Sequence, residues 1–119
     1  MGRSRAPLVE VKLGDLGPHL DATLRSDGHG SVLHLRGEVD LTAAPGLSTV
    51  IGAVAGGTGR LRMDLADVTF VDLHGARAIL AAAHDHGIEI LVGNEPRSLR
   101  IVLQVLGEAG ARIRLEGRP

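Results

Sequence analysis

The sequence predicts an α/β domain with a mixed sheet of about five strands and helices packed on it. Short apolar strands alternate with amphipathic helical stretches, a pattern typical of right-handed crossovers and a mainly parallel sheet. A glycine-rich turn near the front joins two strands into an antiparallel hairpin, which makes the sheet mixed. The 119 residues have the length of a single domain. The predicted order along the chain is β-β-α-β-α-β-α-β.

The front of the chain consists of a tail and a hairpin. Residues 1–17 show no sustained hydrophobic period, so we interpret them as an N-terminal tail, either flexible or lying on the domain, and assign the domain to residues 18–119. Strands are predicted at 21–26 and 31–36. The turn between them, 27–30, contains Asp-Gly, a pair that tolerates positive φ.

Three amphipathic helices are predicted after the hairpin, each from apolar residues at helical spacing. The first has Thr42 as its N-cap, ends at the glycines from residue 56, and buries Leu47, Val50, Ile51 and Val54. The second follows Asp72, spans 73–86, and turns inward Ala76, Leu80, Ala83 and Gly87. The third starts at Asn94-Glu95-Pro96 and buries Leu99, Val102, Leu103 and Leu106. The remaining strands are predicted at 60–65 with an extension over 68–71, at 88–92 and at 111–115.

Composition excludes several classes of function. The formal net charge is −1, so the chain lacks the broad positive field of nonspecific nucleic-acid binding, and Phe70 as the sole aromatic residue provides no stacking platform. The absence of cysteine excludes disulfides and thiolate chemistry. No apolar run approaches about eighteen residues, and residues 1–6 do not resemble a secretory signal. We therefore expect no membrane insertion, no nucleic-acid partner and a cytoplasmic location.

No catalytic constellation appears in the sequence. The glycine-rich segment 52–59 follows a helix and leads into a strand, which is the reverse of a phosphate-binding loop, and no lysine accompanies it. Of the six histidines, His84 and His86 point in different directions on a helix and are not spaced to chelate together. Carboxylates near turns usually accept hydrogen bonds from backbone. We expect no enzyme activity, no cofactor and no metal.

Two segments carry a recognisable motif. A strand ends in Gly37-Glu38-Val39-Asp40 before the first helix, and the segment 62–76 runs from a strand ending in Asp-Leu through Val68, Phe70, Val71 and Asp72 to Gly75 at the start of the second helix. This pairing resembles the STAS domain of bacterial anti-sigma factor antagonists. The resemblance covers about residues 20–115. Its two motifs are specific for this family when they occur together, although each alone would be a weak signal.

The resemblance implies a function and one departure from it. STAS antagonists bind an anti-sigma factor, an ATPase of the histidine-kinase type, and release it when a serine after the aspartate is phosphorylated. Leu73 occupies that phosphoacceptor position and His74 the next, so the usual switch cannot operate here. We therefore expect a partner-binding regulator that sequesters an anti-sigma factor without phosphorylation at this position. The expected contact residues are Glu38, Asp40, Thr42, Asp72, Leu73, His74, Gly75, Arg77, Ala78 and Ala81.

Two alternatives share the fold. The chain could be the STAS subunit of an ABC-type lipid-transport ATPase complex, which would also contact its partner through the second helix. It could instead be a small nucleotide-binding STAS module, because sheets of this kind leave crevices at strand ends. The sequence does not separate the first of these alternatives from an anti-sigma factor antagonist.

Overall fold

A computed structural model of the chain describes residues 9–27, 30–55 and 57–116. The strands are β1 Val9–Gly17, β2 Leu20–Asp27, β3 Gly30–Val39, β4 Arg60–Val71, β5 Glu89–Gly93 and β6 Ile113–Leu115. The helices are α1 Ala44–Ala55, α2 Leu73–His86 and α3 Arg97–Leu106, with short 3-10 helices at Leu41–Ala43 and Gly107–Gly110. The predicted turn residues 28 and 29 and the predicted helix stop at residue 56 lie outside the described residues.

The strands form one mixed sheet in the order β1-β2-β3-β4-β5-β6. The first three strands pair antiparallel, and β3 to β6 pair parallel. Each parallel step is crossed by one helix, as an alternation of strands and helices requires. The predicted α/β class and mixed sheet are thus confirmed, with six described strands in place of about five.

The additional strand is β1, which lies in the segment that the sequence analysis assigned to an N-terminal tail. It pairs with β2 in register from Val9 opposite Ser26, with register shifts between Lys12 and Gly14 and between Asp15 and Gly17. These irregularities break the alternation of apolar and polar residues by which a strand is recognised in sequence. Residues 1–8 of the predicted tail lie outside the described residues.

The core lies between the sheet and the helices. In β3, Leu33 and Leu35 are fully buried, and in β4 Met63 and Leu65 are buried beside them. The helices α1 and α2 pack against each other over this apolar layer. The long strand β4 runs without interruption over both predicted pieces, 60–65 and 68–71. The site described below stands where β4 ends and α2 begins.

The buried face of α2 differs from the predicted stripe. Ala76 and Ala83 are buried as predicted, but the residues that complete the face are Gly75, Ile79 and Ala82, while Leu80 is only half-buried. Gly87 does not face inward; it is the C-cap in a left-handed conformation with φ 65°, where glycine has no Cβ penalty. The buried face of α2 is therefore turned toward Ile79. The predicted stripe placed Leu80 on this face, and hydrophobic spacing in the sequence does not reveal the difference.

Candidate functional site

The start of α2 is held against the end of β3. Val39 pairs with Val71 in the parallel ladder, and the backbone N–H of Asp72 donates to the Val39 carbonyl at 3.2 Å. Gly75 sits directly against the same residue, because a Cβ there would overlap the Val39 carbonyl. The helix therefore begins at a fixed position relative to the sheet.

Asp72 is the N-cap of α2, as the sequence predicts. Its backbone is extended, with φ −91° and ψ 178°, and its Oδ1 accepts the N–H of Gly75 at 2.6 Å. This bond satisfies one of the free donors of the first turn, and a carboxylate there also interacts favourably with the helix dipole.

We expect Asp72→Ala to lower the free energy of unfolding by about 1 kcal/mol, the usual cost of losing an N-cap. Asp72→Asn should retain most of that stability, because an asparagine side chain also accepts from the backbone. Urea unfolding monitored by circular dichroism measures both. Equal losses in the two variants would contradict the capping role.

The 3-10 helix Leu41–Ala43 lies beside α2 and is capped by Asp40. Thr42, predicted as the cap, is instead a donor: its N–H donates to Asp40 Oδ1 at 3.0 Å, and its hydroxyl donates to the same oxygen. The other oxygen, Oδ2, is 2.9 Å from Nδ1 of His19. The hydrogen bond from the Thr42 hydroxyl and the contact with His19 lower the pKa of the Asp40 carboxyl.

The predicted contact residues are distributed unevenly between surface and interior. Gly75 is buried, so its role is to allow the close approach of α2 and β3, and it does not offer a contact surface. Four are half-buried, namely Asp40, Asp72, Leu73 and Ala78. Five are exposed, namely Glu38, Thr42, His74, Arg77 and Ala81.

The structure adds two exposed apolar side chains that the sequence analysis did not assign to the site. Leu41 is 62% exposed in the 3-10 helix, and Phe70 is 50% exposed two residues before the α2 cap. Strand alternation does not find Phe70, because Thr69 and Phe70 are both exposed between the buried Val68 and Val71. The β3–β4 ladder has a register shift at this point, between Gly37 and Glu38. We use the name α2-entrance surface for Leu41, Phe70, Leu73, His74 and Arg77.

Thr69, near the end of β4, is exposed. Its hydroxyl donates to the Gly37 carbonyl at 3.3 Å, across the β3–β4 pair. Next to it, the N–H of Val71 donates to Ser98 Oγ at 2.9 Å, which ties the end of β4 to α3. Hydrogen bonds on both sides thus hold the segment that leads into α2.

A second polar cluster surrounds His34, which is only 6% exposed although its neighbours Leu33 and Leu35 face the helices. Its Nε2 is 2.7 Å from Oδ2 of Asp67, and its Nδ1 is 3.3 Å from both Asp64 Oδ2 and Arg25 Nη1. Sequence spacing does not reveal this cluster, because its members come from three strands.

Asp64 gives the cluster a pH dependence. Partial burial acts to raise its pKa, but hydrogen bonds from the Asn94 amide at 3.0 Å, the Ala66 N–H at 2.9 Å and the His34 ring outweigh it and hold the pKa below its usual value. A depressed folded-state pKa stabilises the fold above the unfolded-state value, and that contribution disappears as the pH falls through the folded-state value.

We expect Asn94→Gly to lower the free energy of unfolding at neutral pH by about 1 kcal/mol, the typical net worth of one hydrogen bond. Glycine is the informative replacement because Asn94 has a φ of 56°, which alanine would strain. The difference from the unsubstituted chain should shrink below about pH 4, as Asp64 becomes protonated. Denaturant titrations from pH 3 to pH 7 measure it, and a difference independent of pH would contradict the assignment.

The fold and the junction of β4, Asp72 and α2 define the class: a small α/β domain with a mixed sheet whose second helix starts directly after the inner strand β4. The protein-family model described as "Mlab, STAS domain" matches residues 22–115, and the chain belongs to this STAS domain family. No curated protein matches the chain at a significant level. None of the described helices combines the length and the apolar character needed to cross a membrane.

Proposed function

We propose that this chain is a non-catalytic binding protein that docks on a partner ATPase through the α2-entrance surface, without a phosphorylation switch. The observation that carries the proposal is the pairing of exposed apolar side chains, Leu41 and Phe70, with a helix start whose phosphoacceptor position is Leu73. Protein interfaces combine an apolar, often aromatic centre with a polar rim, which His74 and Arg77 would supply here.

Rigidity supports the same proposal. The cap at Asp72, the bond from Asp72 to Val39 and the tie from Val71 to Ser98 hold the entrance in one geometry. A surface that is already ordered loses little conformational entropy on binding. Leucine at position 73 has no oxygen to accept phosphate, so the proposed complex is regulated by the amounts of its components.

For the partner we propose an anti-sigma factor of the histidine-kinase-like ATPase type, which the chain would sequester in the cytoplasm. This assignment rests on the motif residues Gly37 to Asp40 and Val68 to Gly75, which resemble those of anti-sigma factor antagonists. By binding the anti-sigma factor in competition with a sigma factor, the chain would free that sigma factor for transcription.

The second candidate is the STAS subunit of an ABC-type lipid-transport ATPase complex. The description of the matching family, "Mlab, STAS domain", favours it, and a permanent subunit has no need of a phosphoacceptor. Both candidates use the α2-entrance surface, so the identity of the ATPase distinguishes them.

The test compares tagged chains as bait in extract of the source cells, with quantitative mass spectrometry of the captured proteins. Phe70→Asp places a charge in the proposed apolar centre, and Ala53→Glu places the same sign of charge on the exposed side of α1, far along the helix from the entrance. We expect one ATPase to be captured by the unsubstituted chain and by Ala53→Glu, and to be lost with Phe70→Asp.

Purified components then decide between the candidates. A small histidine-kinase-like ATPase that binds the chain in calorimetry supports the anti-sigma assignment, and a transporter ATPase supports the second candidate. Capture that Phe70→Asp leaves unchanged would refute the α2-entrance surface. Amide shifts on titration with ATP or GTP alone would point to the nucleotide-binding alternative.

A further inference from the structure

We propose that His19, Glu38 and Asp40 form a binding site for a divalent transition metal, specifically Zn²⁺. One imidazole nitrogen and one oxygen from each carboxylate all lie within 4.8 Å of one another. The three residues come from the β1–β2 turn, from β3 and from the cap of the 3-10 helix. The proposal does not depend on the identity of the partner ATPase.

The backbone holds these ligands at their spacing. The N–H of Glu38 donates to the His19 carbonyl at 2.8 Å, which fastens the β1–β2 turn to β3. Gly37 makes that approach possible: its φ is +117°, and a Cβ there would overlap the His19 carbonyl. Asp40 is fixed from the other side, because its Oδ1 is occupied by the N–H and hydroxyl of Thr42.

The remaining ligand atoms are available to an ion. Asp40 Oδ2 faces Nδ1 of His19 at 2.9 Å, and the side chain of His19 is 54% exposed. Glu38 is exposed beside them. A metal ion entering between these atoms replaces the His19–Asp40 hydrogen bond and leaves the cap of the 3-10 helix intact, because the cap uses the other oxygen of Asp40.

The donor set selects the metal. Mg²⁺ and Ca²⁺ are hard ions that take oxygen ligands, whereas an imidazole suits Zn²⁺ and its neighbours in the transition series. Three protein ligands of this kind leave one position of a tetrahedral Zn²⁺ site open to water or to a side chain of another protein. Two carboxylates also balance the charge of the ion, which raises affinity at an exposed site.

The experiment is calorimetric titration of the untagged, chelator-treated chain with ZnCl₂, and separately with MgCl₂. We expect one Zn²⁺ per chain and no binding heat with Mg²⁺. His19→Ala and Glu38→Gln should each weaken Zn²⁺ binding by about tenfold or more, since even outer partners of metal ligands commonly contribute that much. His84→Ala, which removes an exposed histidine of α2, is the matched control and should bind as the unsubstituted chain does.

Structural damage is separable from ligand loss. Circular dichroism checks that each variant is folded, and if His19→Ala is not, the isosteric Glu38→Gln decides. Zinc-dependent shifts of the His19 ring resonances would support the site directly. Absence of Zn²⁺ binding to the unsubstituted chain, or equal loss in Glu38→Gln and His84→Ala, would overturn the proposal.

Discussion

Gly75→Ala, which adds one methyl group in the first turn of α2, is expected to destabilise the fold strongly. The new Cβ would overlap both the carbonyl oxygen and the carbonyl carbon of Val39, and these are backbone atoms of a paired strand that cannot rotate away. The start of α2 must therefore move off β3, weakening the bond from the Asp72 N–H to the Val39 carbonyl. We expect a loss of at least about 2 kcal/mol in the free energy of unfolding, within the range for overpacked cores, despite the better helix propensity of alanine.

Gly52→Ala is the matched control, since it adds the same methyl group to a glycine within α1. There the three atoms nearest to the Cβ would all belong to the imidazole ring of His86. This side chain is exposed and can rotate at the cost of its 3.1 Å contact with the Ser48 carbonyl. The gain in helix propensity, about 1 kcal/mol at most, offsets that loss, so we expect stability within about 1 kcal/mol of the unsubstituted chain. Urea unfolding of the two variants side by side measures the difference, and equal stabilities would show that the α2 entrance is not closely packed.

Local signals allowed α2 to be predicted well from sequence. Asp72 is the predicted N-cap, and the structure places the helix over the predicted residues, Leu73–His86. Gly87, which was predicted on the buried face, is instead a left-handed C-cap, a signal that the sequence also offers. Both signals act within one or two turns of backbone, so no knowledge of the tertiary fold is needed to recognise them. The order of elements follows from the same kind of signal, repeated along the chain.

Contacts between distant segments could not be predicted. β1 is an outer strand with two register shifts, and its pairing depends on β2, so its own residues show no clear period. The rotation of α2 toward Ile79 depends on how it meets α1 and the sheet. Local propensity carries no information on either arrangement.

The candidate site could likewise be predicted only in part from the sequence. The motif residues from Gly37 to Asp40 and from Val68 to Gly75 identified the entrance, but only the structure shows that Gly75 is buried and Leu41 exposed. The placement of His19 beside Asp40 depends on the β1–β2 turn folding over β3, which brings together residues 21 positions apart. A spacing rule for metal ligands within one helix or loop does not detect such a set.

Leu73, which stands at the phosphoacceptor position, allows the proposed docking surface to be tested by measuring partner binding. Leu73 is half-buried at the first position of α2, directly after the Asp72 carboxylate. Leu73→Glu would place a second negative charge there and require its desolvation when the partner docks, whereas Leu73→Ala only removes apolar contact. We expect Leu73→Glu to weaken binding of the partner ATPase by about 100-fold, equivalent to roughly 2.7 kcal/mol, and Leu73→Ala by about tenfold. Calorimetry with the purified partner measures both.

The controls separate docking from folding and one candidate partner from the other. Ala53→Glu adds a charge away from the entrance and should bind normally, and both variants at position 73 should unfold within about 1 kcal/mol of the unsubstituted chain, because the side chain is only half-buried. With a histidine-kinase-like partner and ATP, Leu73→Ser should gain a phosphate that the unsubstituted chain does not accept, and lose affinity as the charge develops at the helix start. Unchanged affinity of Leu73→Glu would mean that the partner docks elsewhere, and phosphate on the unsubstituted chain at Thr69 or another neighbour would mean that the switch has moved and still operates.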